Sequence, residues 1–272
     1  MRATSNQPHT TPPIIALVTE KGGVGKTTTV FNLGAALGRV PMRVLAIDMD
    51  PGAGLTVSIG LTKKNTPSTY SVLHGNTTIK DSIVPWDEIH VVPSSDDLAG
   101  FTLEVASAIS RERKLQKSLA PSLGDYDVIL LDCPPSLDLL TVNAMAAATH
   151  LIIPMEPSYL SMEGLSGILN TYHAVRQEIN PDLQLLGLLM TRVDVRKSLP
   201  AQVQARIREE FGDLVFKTII RADVRIEEAP SYAQSIFKYA PNGRGVTDFL
   251  NLCHEVRQRL AHKKQDKEKT HG

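Results

Sequence analysis

Short, uninterrupted runs of apolar residues recur along the chain, separated by longer segments of mixed polarity. Runs rich in Ile, Leu and Val without alternation are typical of parallel strands that helices cover on both faces. Five such runs predict strands at 14–19, 43–48, 127–132, 150–155 and 183–190. Intervening segments predict helices, among them 26–38, 141–148 and 161–177. This alternation predicts an α/β fold with a doubly wound, mostly parallel sheet and helices on both faces.

The other segments indicate a single domain with polar ends. Residues 52–88 are rich in Thr, Ser and Gly and predict short helices joined by loops. Residues 195–260 predict a helix, a short strand, a loop and a final helix. We therefore expect a flexible N-terminal tail over 1–12, one domain over 13–260 and a flexible polar tail over 261–272.

Composition favours a soluble protein of the cytoplasm. Hydrophobic residues make up 42% of the chain and charged residues 21%, which is ordinary for a globular protein. Cys133 and Cys253 match neither a disulfide framework nor a CxxC metal site. No run approaches the roughly 18 apolar residues of a membrane span. The N-terminus lacks the apolar run of a secretion signal, and the polar C-terminus lacks an apolar face for a membrane surface.

A net charge of zero hides an asymmetry along the chain. Residues 1–191 contain 13 Lys and Arg against 18 Asp and Glu, whereas residues 192–272 contain 16 against 11. A basic C-terminal third favours a polyanionic partner. Charge alone is equally compatible with a solvated helical surface.

The segment KGGVGKTT, residues 21–28, follows the first predicted strand and opens the first predicted helix. Glycines let backbone N–H groups point at phosphate oxygens, and the helix start adds its positive dipole end. Lys26 would reach the β- and γ-phosphates, and the Thr27 hydroxyl would bind Mg²⁺. A plain glycine turn explains the glycines but not the Lys-Thr-Thr that follows. The predicted nucleotide loop comprises Lys21, Gly22, Gly23, Val24, Gly25, Lys26, Thr27 and Thr28.

Acidic residues end two of the predicted strands. Asp132 closes the apolar run VILLD, and Asp48 and Asp50 close the second strand. In a doubly wound sheet these ends lie beside the loop, where a carboxylate can hold a water on Mg²⁺. Each aspartate could instead cap a turn. We predict metal-site roles for Thr27 and Asp132.

The loop departs from the usual pattern G-x-x-x-x-G-K-[ST], because Glu20 stands where the first glycine is expected and a lysine, Lys21, follows it. This deviant Walker A form of the P-loop resembles that of the ParA/Soj-type partition ATPases, which belong to a wider group that includes MinD and the nitrogenase iron protein. The segments AIDMDPGAGLT, YDVILLDCPPSLDLLTVNAMAAATHLIIPMEPSYLSMEGL, TRVDVRKSL and FKTIIRADVRIEEAPSYAQSIFKYAPNGRG are also similar to that family. The resemblance covers roughly residues 13–260.

The resemblance implies a slow, Mg²⁺-dependent ATPase that forms a homodimer around ATP. Lys21 is then expected to reach the phosphates of the other subunit, and Lys26 those of its own. Asp50 is expected to orient or deprotonate the attacking water, which makes Lys21, Lys26 and Asp50 the predicted catalytic residues. The resemblance also implies that Asp48 supports the water shell of the metal, so the predicted metal site comprises Thr27, Asp48 and Asp132. Gly52 and Gly54 stand where the family has Gln and Asn.

The resemblance also implies binding to double-stranded DNA without sequence preference. Arg196 and Arg225 match DNA-binding positions of the family, and Lys197, Lys217 and Arg244 extend the predicted surface. A ParB-like centromere-binding partner would stimulate hydrolysis, and the protein would associate with the nucleoid. The predicted adenine pocket includes Thr191, Arg221 and Asp223.

Three alternatives share the same nucleotide switch. A MinD-like division regulator requires an amphipathic C-terminal helix, which the polar terminus does not supply. A metallocluster carrier requires paired cysteines at a subunit interface, which Cys133 and Cys253 do not resemble. A ParA-like protein that positions a non-DNA cargo remains open.

Overall fold

One eight-stranded sheet forms the centre of the computed structural model, which describes residues 11–64 and 67–270. Its strands are β1 (Ile14–Leu17), β2 (Val44–Asp48), β3 (Val84–Trp86), β4 (Ile89–Val92), β5 (Val128–Asp132), β6 (His150–Met155), β7 (Gln184–Val193) and β8 (Val215–Arg221). Their order is β3-β4-β2-β5-β1-β6-β7-β8, and every neighbouring pair is parallel except β3 with β4. The predicted α/β architecture is confirmed.

Helices cover both faces of this sheet. They are α1 (Lys26–Arg39), α2 (Gly54–Ser58), α3 (Thr69–His74), α4 (Phe101–Glu104), α5 (Lys114–Leu119), α6 (Leu139–Ala147), α7 (Tyr159–Glu178), α8 (Ser198–Phe211), α9 (Val224–Glu228), α10 (Ile236–Tyr239) and α11 (Arg244–Thr270). Successive side chains of β1 enter opposite apolar cores, Ile14 and Ala16 one and Ile15 and Leu17 the other. A strand buried on both faces explains the unalternating apolar run. Among the described helices, none is both long and apolar enough for a bilayer span.

All five strands predicted from apolar runs are present within one or two residues of their predicted starts. The hairpin of β3 and β4 is the element that the sequence did not indicate. It is held by side chains from distant segments: Trp86 stacks on Phe31 with ring centroids 4.5 Å apart, and Asp87 in the turn pairs with Lys238 at 2.6 Å. Its position therefore depends on tertiary contacts rather than on a local pattern.

The final helix α11 passes the boundary that the sequence placed at residue 260. It continues to Thr270, so no break in secondary structure marks the start of the predicted C-terminal tail over 261–272. Residues 271–272, like residues 1–10 of the predicted N-terminal tail, lie outside the described residues.

Edge strand β8 is irregular where α11 lies against it. The pairing of β7 with β8 shifts register near the middle of β8, which bulges there. Glu255 of α11 accepts hydrogen bonds from the backbone N–H groups of Lys217 and Thr218, each at 2.8 Å. Arg259 donates to the same carboxylate at 2.9 Å. The helix thus satisfies the amides that the bulge removes from the ladder.

Strand order places a crevice above the carboxyl end of β1. This strand lies between β5 and β6, so the connections that leave it and its neighbours turn to opposite sides of the sheet. Ligands of doubly wound sheets bind at such a point. The ends of β2 and β5 lie side by side, with Asp48 paired in register with Asp132.

Candidate nucleotide site

The loop between β1 and α1 has the backbone geometry of a phosphate cradle. Gly23 and Gly25 adopt φ of 78° and 81°, a left-handed conformation that glycine takes without cost. A Cβ built on Gly22 or Gly23 would meet no atom within 4 Å, so both face open space. Gly25 precedes the first turn of α1. Backbone amides and a helix start therefore converge where an anion can bind.

Lys26 lies at the floor of this cradle and is almost completely buried. Its Nζ donates to Asp132 Oδ1 at 2.9 Å and lies 4.0 Å from Asp50 Oδ2. Burial acts to lower the pKa of Lys26, but the charge and hydrogen bond of Asp132 outweigh it and raise the pKa above its ordinary value. The ammonium is therefore charged at neutral pH and lies below the glycines.

Asp48 is fully buried and fixed by Thr56, the first residue of the site that sequence reasoning did not single out. Its Oδ2 accepts from Thr56 N at 2.8 Å and from Thr56 Oγ1 at 2.7 Å. Its Oδ1 accepts from Asp50 N at 3.1 Å. Burial, followed by the charge of Asp132, raises the pKa of Asp48 to about 7. The strand register and the Thr56 clamp thus force two carboxylates together.

The arrangement suits a hydrated cation. The Lys26 ammonium lies 2.9 Å from Asp132 and 4.0 Å from Asp50, and Asp132 Oδ2 is buried without a hydrogen-bond partner in the described structure. In residues 11–64 and 67–270, no group of three or more His, Cys, Asp or Glu side chains is placed to hold a metal by itself. Mg²⁺ takes few protein ligands and keeps waters and phosphate oxygens, so Thr27, Asp48 and Asp132 fit it together with a bound phosphate.

Asp50 lies at the rim of the site, next to the glycines that follow it. Its Oδ1 accepts from Gly52 N at 2.7 Å, and burial raises the pKa of Asp50. A Cβ at Gly52 would lie 3.0 Å from that oxygen, and one at Gly54 would lie 3.2 Å from Thr27 Oγ1. The two glycines therefore let the start of α2 approach both side chains closely.

Lys21 is directed toward solvent at the mouth of the loop, with 52% of its side chain exposed. Among the described side chains, its ion-pair partner is Glu156, whose Oε2 lies 3.9 Å from Lys21 Nζ. Glu156 also forms an ion pair with Arg192, which in turn pairs with Glu227 of α9, both at 2.9 Å. Sequence reasoning missed these three partners, since none belongs to a recognisable motif.

Residues predicted for an adenine pocket separate into two groups. Thr191 is buried against the loop, and its Oγ1 donates to Val24 O at 2.5 Å. Arg221 instead pairs with Asp248 of α11 at 2.6 Å, which also raises the pKa of the guanidinium. Asp223 caps α9 by accepting from the backbone of the residue two positions on. Only Thr191 thus has a contact with the loop.

Four of the five predicted DNA-binding side chains lie at the carboxyl edge of β7 and β8. Arg196 and Lys197 both pair with Asp194 just after β7, at 2.8 and 3.8 Å. Hydrogen bonds from Arg196 lower the pKa of Asp194 to about 2. The other two side chains at this edge are those of Arg225 on α9 and Arg244 at the start of α11, both of which are exposed.

Lys217 is the member that the structure separates from the rest. It lies in the first half of β8, about 13 Å along the strand from Arg221 at the carboxyl end. Arg225, in contrast, lies beside the turn before α11, with its guanidinium 3.8 Å from a Cβ built on Gly243. The basic surface therefore consists of Arg196, Lys197, Arg225 and Arg244, and we call it the basic edge.

Comparison with known proteins agrees with this geometry. A family model described as an AAA domain matches residues 13–185. The chain is 41% identical over 246 residues to the sporulation initiation inhibitor protein Soj of Bacillus subtilis, covering 89% of this chain and 97% of that protein. It is also 41% identical over 246 residues to the chromosome-partitioning ATPase Soj of Thermus thermophilus, covering 90% and 96%.

A solved structure resembles the whole fold as well. Cobyrinic acid a,c-diamide synthase from Mycobacterium smegmatis, crystallised with an ATP analogue and magnesium, matches with a TM-score of 0.75 and 35% identity, covering 86% of this chain and 98% of that one. The glycine cradle, the buried lysine and the paired strand-end aspartates thus occur within a sequence similar to Soj over nearly its full length. The chain belongs to the ParA/Soj family of chromosome-partitioning ATPases.

Proposed function

We propose that this ATPase partitions DNA by pairing around ATP, binding DNA as a pair and releasing it after hydrolysis. The observation that carries the nucleotide part is the buried pair of Lys26 and Asp132 with its unpartnered carboxylate oxygen. Such a site is costly to bury and needs a ligand to complete it. ATP with Mg²⁺ supplies both the anion for Lys26 and the cation for Asp132.

Each residue of the site has a distinct task in hydrolysis. Lys26 would bind the β- and γ-phosphates, and Thr27 would bind the metal, whose waters Asp48 and Asp132 would hold. Mg²⁺ when bound neutralises phosphate charge and so assists phosphoryl transfer. Asp50 would orient the attacking water and accept its proton at the carboxylate. The pKa of Asp50 is raised, and it is therefore nearer to the pKa of an effective general base at neutral pH.

Pairing would be mediated by Lys21. A lysine at the mouth of the loop is not needed for its own phosphates, because Lys26 lies below them. Its exposure and its loose ion pair leave it able to bind the triphosphate of a second chain. Two facing ATP–Mg sites repel each other, and a cation from each partner offsets that repulsion. The homodimer would therefore be stable only with ATP.

DNA binding would follow from the basic edge. Exposed arginines and lysines bind phosphates without reading bases, so affinity would depend steeply on salt and not on sequence. One chain offers few such contacts, and a pair offers twice as many on one polymer. ATP would thus control DNA affinity by determining whether one chain or a pair of chains binds the DNA. A ParB-like partner bound at a centromere would stimulate hydrolysis and release the chains from the nucleoid.

DNA binding under three nucleotide conditions tests this function. Affinity for random-sequence duplex DNA is measured by fluorescence anisotropy with ADP, with ATP and with a non-hydrolysable ATP analogue, across a salt series. Binding should be strong with the analogue, weak with ADP and steeply salt-dependent. Equal affinity in all states would contradict the switch. Absence of DNA binding in a chain that pairs with the analogue would favour a non-DNA cargo.

A further inference from the structure

The lysine at the mouth of the loop has an anion of its own chain beside it. Lys21 Nζ and Glu156 Oε2 are 3.9 Å apart, and both side chains are partly solvated, at 52% and 30% exposure. This distance is too long for a hydrogen bond and lies at the outer limit of an ion pair. Lys21 is therefore held loosely on its own subunit.

Glu156, by contrast, is held firmly. The Arg192 guanidinium forms two ion pairs, Nε with Glu156 Oε1 and NH1 with Glu227 Oε1, both at 2.9 Å. Arg192 adopts φ of 53°, a conformation that residues other than glycine rarely take. Its side chain also passes the loop, with Cγ 4.0 Å from a Cβ built on Gly25. The Glu156 carboxylate is thus fixed, and Lys21 is the mobile member.

Solvent exposure allows Lys21 to move. Its side chain is 52% exposed, and the cavity of about 30 Å³ between it and Gly164 of α7 has room for little more than water. Movement of the lysine away from Glu156 can therefore proceed into solvent.

We propose that Glu156 is a positioning residue that keeps Lys21 on its own subunit and so opposes the pairing of two chains. In the proposed function, on which this inference rests, Lys21 binds the phosphates of a second chain. One ammonium cannot make both contacts, so pairing must break a Lys21–Glu156 contact in each chain. Because both contacts stabilise the monomer, they raise the dissociation constant of the ATP-bound pair. Glu156 thereby sets the protein concentration at which pairing begins.

Glu156→Gln tests this role because it keeps the shape of the side chain and removes its charge. Sedimentation equilibrium with a non-hydrolysable ATP analogue and Mg²⁺ measures the dissociation constant of the pair. We expect that constant to fall by about two- to ten-fold, since each solvated ion pair is weak but two are lost per dimer. High salt should shrink the difference, because it screens the ion pair in the unmodified chain.

Arg192→Gln provides the reciprocal test. Among the described residues it leaves Glu156 with Lys21 as its ion-pair partner, so Lys21 is held more tightly and the dissociation constant should rise. A merely structural role predicts that both variants impair pairing. Glu156→Asp draws the carboxylate back by one methylene and should shift pairing in the same direction as Glu156→Gln, by less. Glu228→Gln is the matched control, because that carboxylate of α9 bonds Tyr239 instead.

The outcomes separate this inference from the proposed function. An unmodified chain that binds the analogue but stays monomeric contradicts both. An unmodified chain that pairs, with Glu156→Gln pairing equally well or more weakly, contradicts the inference alone. Urea unfolding and the affinity of the monomer for the analogue should match among all variants, which shows that each is folded.

Discussion

The phosphate site and the basic edge lie at the same end of the sheet, but they hold their charges in opposite ways. Lys26 and Asp132 pair with almost no solvent exposure. Arg196 pairs with Asp194 while 86% of the arginine side chain remains exposed. A buried pair cannot lose one partner without leaving an uncompensated charge, whereas water and salt screen an exposed pair. Loss of one residue of the phosphate site is therefore expected to disrupt the whole site, whereas each substitution at the basic edge should weaken that surface only in part.

The two lysines of the loop give the sharpest form of this comparison. Lys26→Ala leaves Asp132 buried without its cation, so we expect ATP binding to be lost and the free energy of unfolding to fall by about 3 kcal/mol. Fluorescent-ATP titration and urea unfolding measure these effects. Lys21→Ala is the control from the same loop: it should change stability by less than about 0.5 kcal/mol and keep ATP binding in the monomer. Retained ATP affinity in the Lys26→Ala variant would contradict the assignment of this loop as the phosphate-binding loop.

Asp50→Ala separates binding from hydrolysis within the buried region. Asp50 touches Lys26 only at 4.0 Å, so its removal leaves the main ion pair intact. We expect unchanged ATP affinity, retained pairing and a rate of phosphate release lowered by at least about 100-fold, as for loss of a general base. Colorimetric phosphate assays and light scattering provide the two readouts. Normal turnover in this variant would assign the base to another residue.

Charge reversal at the basic edge should act gradually. Arg196→Glu with Arg225→Glu removes four phosphate contacts from each pair of chains, so the slope of log affinity against log salt should flatten by roughly 4 units. DNA affinity should fall by about 100-fold or more at moderate salt, with ATP-dependent pairing unchanged. Lys217→Glu is the comparison within β8 and should reduce affinity by no more than about three-fold, because Lys217 lies away from the edge. An equal effect of Lys217→Glu would extend the DNA surface along the strand.

Substitution of Glu255 is expected to have the smallest effect on stability, and that effect should depend on pH. Burial acts to raise its pKa, but hydrogen bonds from Thr218, Lys217 and Arg259 outweigh burial and lower the pKa below the ordinary value of 4.5. A carboxylate with a lowered folded-state pKa stabilises the fold above its unfolded pKa and loses that contribution as pH falls through the folded one.

Glu255→Gln should therefore cost on the order of 1 kcal/mol at neutral pH and less below pH 4. Urea midpoints measured from pH 7 to pH 3 give the profile. Glu209→Gln, an exposed carboxylate on α8, should leave the profile of the unmodified chain unchanged. Parallel profiles for the Glu255→Gln variant and the unmodified chain would show that Glu255 titrates normally.

The features that could be predicted from the sequence belong mainly to the buried region. The strands that end at Asp48 and Asp132 are uninterrupted apolar runs, which are typical of parallel strands buried on both faces. The glycine loop has a local conformational requirement that only glycine meets easily, so it too could be read from sequence. Thr56 stood within a recognised motif, and its clamp on Asp48 was within reach of the same reasoning.

Other features have no linear signal. The β3–β4 hairpin is short and contains Pro85, and its contacts come from segments far away in the chain. The left-handed backbone of Arg192 and the pairing of Arg221 with Asp248 are products of packing that no local pattern announces. Separation of Lys217 from the basic edge depends on which end of β8 it occupies. Contacts such as these, between residues far apart in the sequence, can be identified only from the three-dimensional structure.

Strand order also has a consequence for how the chain acquires its site during synthesis. The strand that precedes the loop emerges first from the ribosome, yet Ile14 pairs with Ile129 and Ile15 with His150. Non-local pairing of this kind must wait for the later strands and slows folding. A nascent chain that ends before β6 therefore carries the glycines and their lysine without at least one of the two strands that flank β1. The ability to bind nucleotide arises late in translation, in a single step, once the central strand is enclosed on both sides.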